Sequence, residues 1–343
     1  KRSNISCISP YVTHGILTEV EIIKKVLKKS LFVKNEKFIQ EILWRVYWKG
    51  WLELRPKVWT DFMEDLKTIK EDEKYLKAVK GETEIECFND WVNELKNFNY
   101  LHNHTRMLFA SIWIFTLKLP WQKGAEFFMK HLYDGDAASN TLSWRWVAGI
   151  QTKGKNYLAQ SWNISKFTNN KYKNVKLNET ALPIIDKREY KISPFQISKN
   201  EDVNDNLIIF ENEMHEDFLE KKRYKKIYFV LLGNENRSVK LSTKVMDYKK
   251  DVIKSRLNEI KYESELLDGK GLTNLAKTSK SFDVIYPSIG ENFSFFKMLV
   301  KKNNLDINFI TREEDEFCWK FSNKGYFNFK SNIPIILSTF KLN

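Results

Sequence analysis

Two short segments of the sequence concentrate side chains that could do chemistry. Residues 100–107 read Tyr-Leu-His-Asn-His-Thr-Arg-Met, and residues 134–146 begin with Asp-Gly-Asp and end with Trp-Arg-Trp. Asn103, Arg106 and Met107 have the spacing of side chains that share one face at the start of a helix. Carboxylates in a tight turn, an amide and neighbouring indoles suit a planar heteroaromatic ligand with imide edges.

Each of these pieces also has an ordinary structural explanation. Asp134 and Asp136 flank a glycine, and such a motif is frequently a turn or a helix cap. Trp144 and Trp146 bracket an arginine, and indoles at this spacing are usually packing residues. His102, taken alone, is most simply a helix-end histidine. No metal is indicated, because no third ligand lies at a suitable spacing from the two carboxylates.

The elements that would carry these residues are helices, because apolar positions recur at helical spacing through the first ~180 residues. Thr18 and Glu21 form a capping box that begins one helix, and Arg55-Pro56 ends another that starts near Lys37. Most of these segments are apolar nearly all round, which is typical of central helices in a large bundle. Further helices are predicted at 88–97, 104–118, 122–132 and 137–148, and a solvent-facing acidic stretch at 61–86.

After residue 180 the pattern changes to that of an α/β protein. A polar, charged stretch at 195–224 indicates a linker, and the run Tyr326 to Lys330 alternates like a strand. Strand-like runs at 226–232, 282–286 and 306–310 alternate with amphipathic helical stretches near 240–262 and 290–303. This alternation predicts a small parallel sheet. We therefore predict a mainly α protein with a helical domain at 1–180, a linker at 181–224 and a smaller α/β domain at 225–343.

The charge of the chain is unevenly distributed. The formal net charge is +13, and ten of the 11 Trp lie in the first 162 residues. Residues 1–200 contain 33 Lys and Arg against 22 Asp and Glu, whereas residues 201–343 contain 24 against 22. A basic surface in one domain indicates a polyanionic partner. A Lys- and Asn-rich sequence from an A+T-rich genome would have the same composition, so charge alone leaves both explanations open.

Several classes of protein are disfavoured by the sequence. The cysteines Cys7, Cys87 and Cys318 are far apart and form no CxxC pair, which argues against a zinc site or a disulfide framework and favours a reducing cytosol. The longest mainly apolar stretch, Met107 to Leu117, has 11 residues, whereas a membrane helix needs about 20. No signal peptide, GxGxxG motif or Walker phosphate loop is visible.

In order and spacing, these motifs resemble the flavin-binding domain of the DNA photolyase/cryptochrome family. The resemblance runs from Ser6 to Phe167, roughly half of the chain. Upstream, the residues 6–12 resemble the family's phosphate-binding TSxLSPYL turn, and residues 41–45 resemble its ELIWRE helix. The other matching motifs are residues 102–107, Trp121, residues 128–132, Asp134-Gly-Asp136, Asn140, Trp144-Arg-Trp146 and residues 157–167.

The resemblance implies that FAD is the cofactor, held in a bent conformation in an all-helical domain. Ser6 and Ser9 match residues that bind the flavin pyrophosphate. Arg106 matches an arginine that pairs with the first Asp of the DGD motif, here Asp134, and so braces the flavin pocket.

Two further positions match residues beside the flavin ring. Asp136 matches the carboxylate next to the isoalloxazine and adenine rings, and Asn140 matches the residue facing flavin N5. Plant cryptochromes have Asp and animal cryptochromes have Cys at the position of Asn140, so the resemblance favours a repair enzyme.

The substrate implied by the resemblance is DNA containing cyclobutane pyrimidine dimers. Glu41, Trp44 and Arg45 on one segment match residues that line the dimer cavity. Asn103, Met107 and Trp146 match the rest of that cavity, and Arg145 is a further candidate for contact with DNA. The (6-4) branch of the family has His at the positions of Asn103 and Met107.

The family reduces its flavin through a chain of three tryptophans. Trp144 matches the one nearest the flavin and Trp121 matches the middle one. The surface tryptophan has no match, and Trp48, Trp51, Trp91, Trp113 or a tyrosine are candidates.

The activity implied is light-driven dimer repair by a carbon–carbon lyase, acting as a cytoplasmic monomer without a membrane partner. The alternative is a cryptochrome-like blue-light sensor, because His104 stands where bacterial photolyases have Arg and because residues 83–93 depart from the family pattern. A helical nucleic-acid-binding protein without flavin is a third hypothesis.

One departure from the family is architectural. The family begins with an α/β antenna domain, whereas this chain starts near its phosphate turn and carries its α/β pattern at the end. We therefore expect either a rearranged branch or a chain without an N-terminal part, and no antenna chromophore is implied.

Overall fold

The structure is a computed structural model of the chain, and it describes residues 5–195, 204–215, 219 and 224–342. The predicted fold class is confirmed, since helices dominate and one parallel sheet follows them. The helices are α1 Ser9–Thr13, α2 Glu19–Leu27, α3 Phe32–Glu53, α4 Lys57–Thr68, α5 Glu73–Lys80, α6 Glu86–Phe98, α7 Asn103–Ser111, α8 Trp121–His131, α9 Ala137–Val147, α10 Ser161–Phe167, α11 Thr243–Glu259, α12 Gly269–Thr278, α13 Glu291–Asn303, α14 Glu313–Trp319, α15 Tyr326–Ser331 and α16 Ile333–Thr339. The strands are β1 Asn206–Phe210, β2 Lys226–Val230, β3 Ser264–Leu267, β4 Ser281–Ile285 and β5 Asp306–Ile310.

The chain forms two compact units whose limits differ from the sequence-based boundaries at 180 and 225. The helical unit consists of Lys1–Ile5, Trp59–Tyr190 and Leu241–Val245. The sheet unit consists of Ser6–Val58, Lys191–Lys240 and Met246–Asn343. Residues 6–58 were expected in the helical domain, and they group with the sheet because α3 packs along α14 and α15.

The helical unit is built around a core of aromatic rings. Trp113, Phe88 and Phe109 are among the largest side chains that are fully buried. Trp113 lies in a π-helical segment, Ile112–Thr116, that continues α7, so the predicted helix 104–118 is real but changes its winding near its end. Of the helices in the described ranges, none is long and apolar enough to cross a membrane.

The sheet unit contains five parallel strands in the order β3-β2-β1-β4-β5. β1 lies at the centre, and its residues alternate between two cores because successive side chains of a strand point to opposite faces. Ile208 and Phe210 pack with α12 and α13, while Leu207 and Ile209 pack with α11. The order reverses at β1, and parallel sheets bind ligands at the carboxyl edge of such a switch point.

Two sequence predictions about this unit are corrected by the structure. β1 lies inside the predicted linker 195–224; the sequence analysis missed it because its apolar run, residues 207–210, has only four residues and its flanks are polar. Residues 196–203, 216–218 and 220–223 of that predicted linker lie outside the described residues.

The second correction concerns the run Tyr326 to Lys330, which forms the helix α15 and not a strand. Phe329 is fully buried and Tyr326 is partly buried, three residues apart as on one helix face, whereas Phe327 is 85% exposed. The edge strand β3 was not predicted, since only one of its residues is buried. The predicted strands 226–232, 282–286 and 306–310 are confirmed as β2, β4 and β5.

Candidate functional site

The helical unit joins the two chemically dense segments through one ion pair. The Arg106 guanidinium on α7 lies 2.8 Å from the Asp134 carboxylate, and its Nε donates to the Leu101 carbonyl at 2.8 Å. The Asp134 side chain is almost fully buried, and the guanidinium also lies over the Tyr100 ring. The pair expected from the resemblance is therefore present, and it fixes the turn before α9 against the start of α7.

The first turn of α9 presents a compact set of polar groups. Asp136 caps the helix and accepts a hydrogen bond from the Ser139 amide at 2.6 Å. Asn140 is buried, and its amide donates to the Ala125 carbonyl of α8 at 2.9 Å, which leaves one N–H and the oxygen of the amide for other partners. In the part of the chain that the structure describes, the hydroxyls of Ser139 and Thr141 are buried without a hydrogen-bond partner.

The start of α7 carries the two substrate-side residues predicted there. Asn103 is the first helical residue and is exposed, and Met107 lies one turn later and is half-buried. Their spacing of four places them on one helix face. His102 caps this helix, and the His104 ring meets the Phe167 ring edge-on at 4.7 Å. Burial lowers the pKa of His104, and the nearby His102 adds to that effect, so His104 is neutral at pH 7.

Trp144 lies deep in the helical unit and close to the α8 backbone. A Cβ atom at Gly124 would lie 2.2 Å from Cη2 of Trp144, so only glycine allows this approach. The indole meets the Trp113 ring at 6.2 Å and the Phe128 ring at 5.1 Å, both edge-on. Trp146 is only half-buried and stacks with Tyr157 at 5.9 Å.

Trp121 and Arg145 are neighbours in the same unit. The Trp121 ring stacks on Phe62 at 5.5 Å, and the Arg145 guanidinium lies 5.9 Å from the Trp121 ring centroid. Arg145 is buried, pairs with Asp186 at 3.5 Å and donates to Gln151 at 3.3 Å. The predicted contact of Arg145 with DNA is therefore not supported by its position, because its charge is used inside the protein.

A cavity of about 270 Å³ also lies beside Trp121. Trp121, Ile150, Ile184 and Arg188 line it, and neither Asp136 nor Asn140 does. Its volume is below the usual range for cofactor pockets.

In the sheet unit, α3 carries the remaining substrate-side residues. Glu41 is exposed, and Trp44, three residues later, stacks face to face on Tyr326 of α15 with 3.4 Å between ring centroids and 10° between the planes. The Tyr326 hydroxyl donates to the Gln40 carbonyl at 3.0 Å. Burial raises the pKa of Tyr326, and the negative charge of Glu41 adds to that rise. Tyr326 had no place in the sequence prediction, because nothing local in the sequence links it to a residue 282 positions earlier.

Arg45 is held by an internal ion pair. Its Nε lies 3.3 Å from Glu19, and its Nη1 donates to the Thr13 hydroxyl at 3.2 Å. Glu19 also pairs with Arg312 at 3.0 Å. Burial alone would raise the pKa of Glu19, but Arg312 and Arg45 hold it below its usual value. Arg45 therefore stabilises the contact between α2, α3 and α14, which weakens its prediction as a free DNA contact.

The carboxyl edge of the sheet at β1 and β4 is filled by α3. Lys49 lies 2.7 Å from Glu213, which follows β1, and Glu53 accepts a hydrogen bond at 2.7 Å from the hydroxyl of Tyr286, which follows β4. Asp315 on α14 lies 3.6 Å from Lys49. Burial raises the pKa of Glu53 to about 7, although its hydrogen bonds to Tyr286 and the Ile289 amide act in the opposite direction.

These contacts leave little room at the switch point of the sheet. The remaining cavity is about 10 Å³, space for a single water. Gly50 lets α3 and α14 approach here, since a Cβ atom at this position would lie 2.5 Å from Cδ1 of Trp319. The signal that sequence reasoning missed is the pair Lys49 and Glu53, two charges one turn apart within an otherwise apolar helix segment.

Ser6 and Ser9 lie at the start of the sheet unit. Ser6 is exposed, and Ser9 is the partly buried first residue of the short helix α1. Each of the predicted site residues thus lies in the described part of the chain, with Ser6, Ser9, Glu41, Trp44 and Arg45 in the sheet unit and the others in the helical unit.

Comparison with known proteins points to one family. The sequence model of the FAD binding domain of DNA photolyase matches residues 38–202. Among similar proteins, a deoxyribodipyrimidine photo-lyase of Streptomyces griseus is 32% identical over 149 residues, which are 43% of this chain and 32% of that protein. The enzyme of the same name from Vibrio cholerae is 27% identical over 165 residues, 46% of this chain and 35% of that protein.

A third relative, the deoxyribodipyrimidine photo-lyase of Agrobacterium fabrum, is 32% identical over 152 residues, 42% of this chain and 32% of that protein. The chain thus spans about a third of the length of the relatives it matches. The match includes α3 from residue 38 and all of α4 to α10, and it ends before β1.

Proposed function

Because the chain belongs, through residues 38–202, to the family of DNA photolyase FAD-binding domains, we propose that it is a flavoprotein that repairs cyclobutane pyrimidine dimers in DNA with light. The observation that carries this proposal is the polar set of the helical unit. Asp136 and Asn140 lie on the first turn of α9, and the pair of Arg106 with Asp134 braces the turn before it.

This polar set fits a flavin. FAD is the cofactor of the domain family, and its isoalloxazine and ribityl groups offer hydrogen-bond donors and acceptors. Buried hydroxyls without a protein partner are costly, and those of Ser139 and Thr141 beside Asn140 would be satisfied by such a ligand. Within the helical unit, Asp136 and Asn140 would hold the ring system. When bound, the cofactor supplies an electron on illumination.

The proposed binding of the dimer depends on side chains that can stack on a base or hydrogen-bond to it. Asn103 and Met107 share one helix face at the start of α7. The half-buried Trp146 lies on α9, six residues after Asn140. In the sheet unit, Glu41 is exposed on α3, and Trp44 is a partly buried indole on the same helix. A dimer must leave the duplex to be repaired, and base stacking on indoles stabilises an extruded base. Glu41 would hydrogen-bond the edge of a pyrimidine carbonyl when protonated.

A second candidate function is a flavin-based light sensor. It is favoured because three positions expected to contact DNA through a positive charge do not offer a free one. His104 is neutral at pH 7 where the resemblance expects an arginine, and Arg45 and Arg145 are engaged in internal ion pairs. Fewer free cations weaken contact with phosphates, which supply most of the sequence-independent affinity for DNA.

The experiment compares the two functions in the flavin-loaded, reduced full chain. An oligonucleotide containing one thymine dimer is illuminated with blue light, and dimer loss is measured by chromatography for the wild type, Glu41→Gln and Glu36→Gln. Glu36 lies on the same helix and is half-exposed, so Glu36→Gln is the matched control. Repair by the wild type and the control, with a loss in Glu41→Gln, supports the proposal.

Other outcomes separate the alternatives. Flavin that binds and is photoreduced while no dimer is lost favours the sensor. A purified chain that takes up no FAD contradicts both candidate functions.

A further inference from the structure

A continuous line of aromatic rings runs from the interior of the helical unit to its surface. Trp144 meets Trp113 edge-on, with 6.2 Å between ring centroids and 83° between the planes. Trp113 in turn meets Tyr75 of α5 edge-on at 5.9 Å and 86°. Trp144 and Trp113 are buried, whereas Tyr75 is partly exposed. Each ring thus has the next one as an edge-on neighbour, with 6.2 and 5.9 Å between ring centroids.

The surroundings of Trp113 favour a transient positive charge more than those of Trp121 do. The Arg145 guanidinium lies 5.9 Å from the Trp121 ring centroid, and a nearby cation makes it harder to remove an electron from that ring. Trp113 is packed against the uncharged rings of Phe109 and Phe127. Its indole N–H donates to the Pro120 carbonyl at 2.9 Å, an acceptor that stabilises positive charge on the indole.

The outer end of the line has groups that can take a proton. A phenol that loses an electron becomes a strong acid, so a route that ends on tyrosine needs a base nearby. Lys123 lies 5.7 Å from the Tyr75 ring centroid, but it pairs with two carboxylates, Glu71 at 3.0 Å and Glu126 at 2.9 Å, so the negative charges outnumber this cation beside the phenol. Both carboxylates act electrostatically on the Tyr75 phenol, and Tyr75 is partly open to water.

We propose that Trp113 and Tyr75 form an electron route to Trp144 that is separate from Trp121. The proposal rests on the proposed function, since it requires the cofactor to draw an electron from Trp144 in light. Trp113 then gives one electron to oxidised Trp144, and Tyr75 gives one electron to oxidised Trp113. Tyr75 loses its phenol proton to Glu71, Glu126 or water and becomes a neutral radical. An external thiol restores Tyr75 by returning one electron and one proton.

The proposed route gives a role to the π-helical segment that interrupts the regular α-helix after α7. Trp113 lies in the π-helical segment Ile112–Thr116, which follows α7 directly. Single π-helical turns within α-helices occur frequently at functional sites. In this chain the affected segment contains the ring that bridges Trp144 and Tyr75.

The test is flash photolysis of the full chain loaded with oxidised FAD. Transient absorption and electron paramagnetic resonance distinguish tryptophan radicals from the neutral tyrosyl radical. The variants are Tyr75→Phe, Trp113→Phe and Trp121→Phe, and Trp162→Phe is the control because it removes a tryptophan of the same unit that lies outside the line. Cofactor content of each variant in the dark verifies folding.

We expect a tyrosyl signal in the wild type, in Trp162→Phe and in Trp121→Phe. We expect its loss in Trp113→Phe and Tyr75→Phe, with a short-lived tryptophan radical remaining in Tyr75→Phe. A tyrosyl signal that persists in Tyr75→Phe, or that disappears in Trp121→Phe, overturns the route. Tyr75→Phe keeps the packing of the ring, so the loss or persistence of the tyrosyl signal in this variant tests the route even where Trp113→Phe fails to fold.

Failure of this route is distinguishable from failure of the proposed function. A chain that binds FAD and forms the tyrosyl radical without repairing dimers retains the route and loses the repair proposal. A chain that repairs dimers but forms no tyrosyl radical retains the function and overturns the route. A chain that binds no FAD overturns both.

Discussion

Lys49→Met tests whether the buried charges at the sheet edge hold α3 in place. The substitution keeps most of the side-chain volume and removes an ammonium that is 3% exposed and lies 2.7 Å from Glu213 and 3.6 Å from Asp315. At an effective dielectric of about 20, these attractions amount to about 6 and about 5 kcal/mol before desolvation is subtracted. Asp315 retains its ion pair with Arg312 at 2.9 Å, whereas Glu213 loses its ion pair with Lys49 and retains the hydrogen bond from the Ser288 hydroxyl at 3.2 Å. Breaking a buried pair in this way costs about 3–5 kcal/mol of unfolding free energy.

The assay is urea unfolding followed by circular dichroism, with amide hydrogen exchange in β1 to localise the effect to the sheet unit. Lys77→Met is the control, because Lys77 pairs with Glu73 on the surface of α5 and should change nothing measurable. An unfolding free energy for Lys49→Met within ~1 kcal/mol of the wild type at pH 7 would refute the reasoning.

The loss should also depend on pH. Burial acts to raise the pKa of Asp315, but Arg312 and Lys49 hold it below its usual value. A carboxyl with a lowered folded pKa contributes stability above its unfolded pKa and loses that contribution as the pH falls through the folded value. The difference between wild type and Lys49→Met should therefore be largest at pH 7 and shrink below about pH 4.

Three further predictions follow from single contacts. Gly124→Ala should destabilise the helical unit by about 1–3 kcal/mol in thermal unfolding and shift the tryptophan fluorescence, because its Cβ atom would overlap Trp144. Glu53 has its pKa raised to about 7, so its contribution to stability is complete below about pH 4 and is lost as the pH rises through 7; Glu53→Gln should remove that dependence, on the order of 3 kcal/mol, in unfolding measured from pH 4 to 8. Tyr326→Ala should cost the sheet unit ~1 kcal/mol or more in urea unfolding through its lost stacking, whereas Phe327→Ala, 85% exposed, should match the wild type.

The sequence predicted best those features that depend on neighbours along the chain. The runs at β4 and β5 are short, apolar and bounded by polar residues, so local pattern was sufficient. The turn before α9 was predicted through Asp136, whose capping bond spans three residues. The ion pair of Arg106 with Asp134 joins residues 28 positions apart, and it was predicted only because the motif resembled a known family.

Features that depend on distant contacts were not predictable in the same way. α3 was assigned to the helical domain, since nothing in its periodicity indicates that it packs on α14, some 270 residues later. The stacking of Trp44 on Tyr326 fixes the orientation of a predicted site residue through a segment that reads as a strand. β1 was not predicted because its four apolar residues do not outweigh the polar average of their surroundings.

α3 carries both the side chains that fill the switch point of the sheet and the proposed substrate-side residues Glu41 and Trp44. A crevice at the switch point of a parallel sheet is where such folds hold ligands, and here Lys49 and Glu53 occupy it. Glu41 lies eight residues before Lys49 on the same helix, about 12 Å along its axis. Because a helix transmits displacement along its length, the crevice acts as the anchor of the segment that carries Glu41 and Trp44. Under the proposed function the sheet would position this helix, and perturbing Lys49 should change the placement of Glu41 without any contact with substrate.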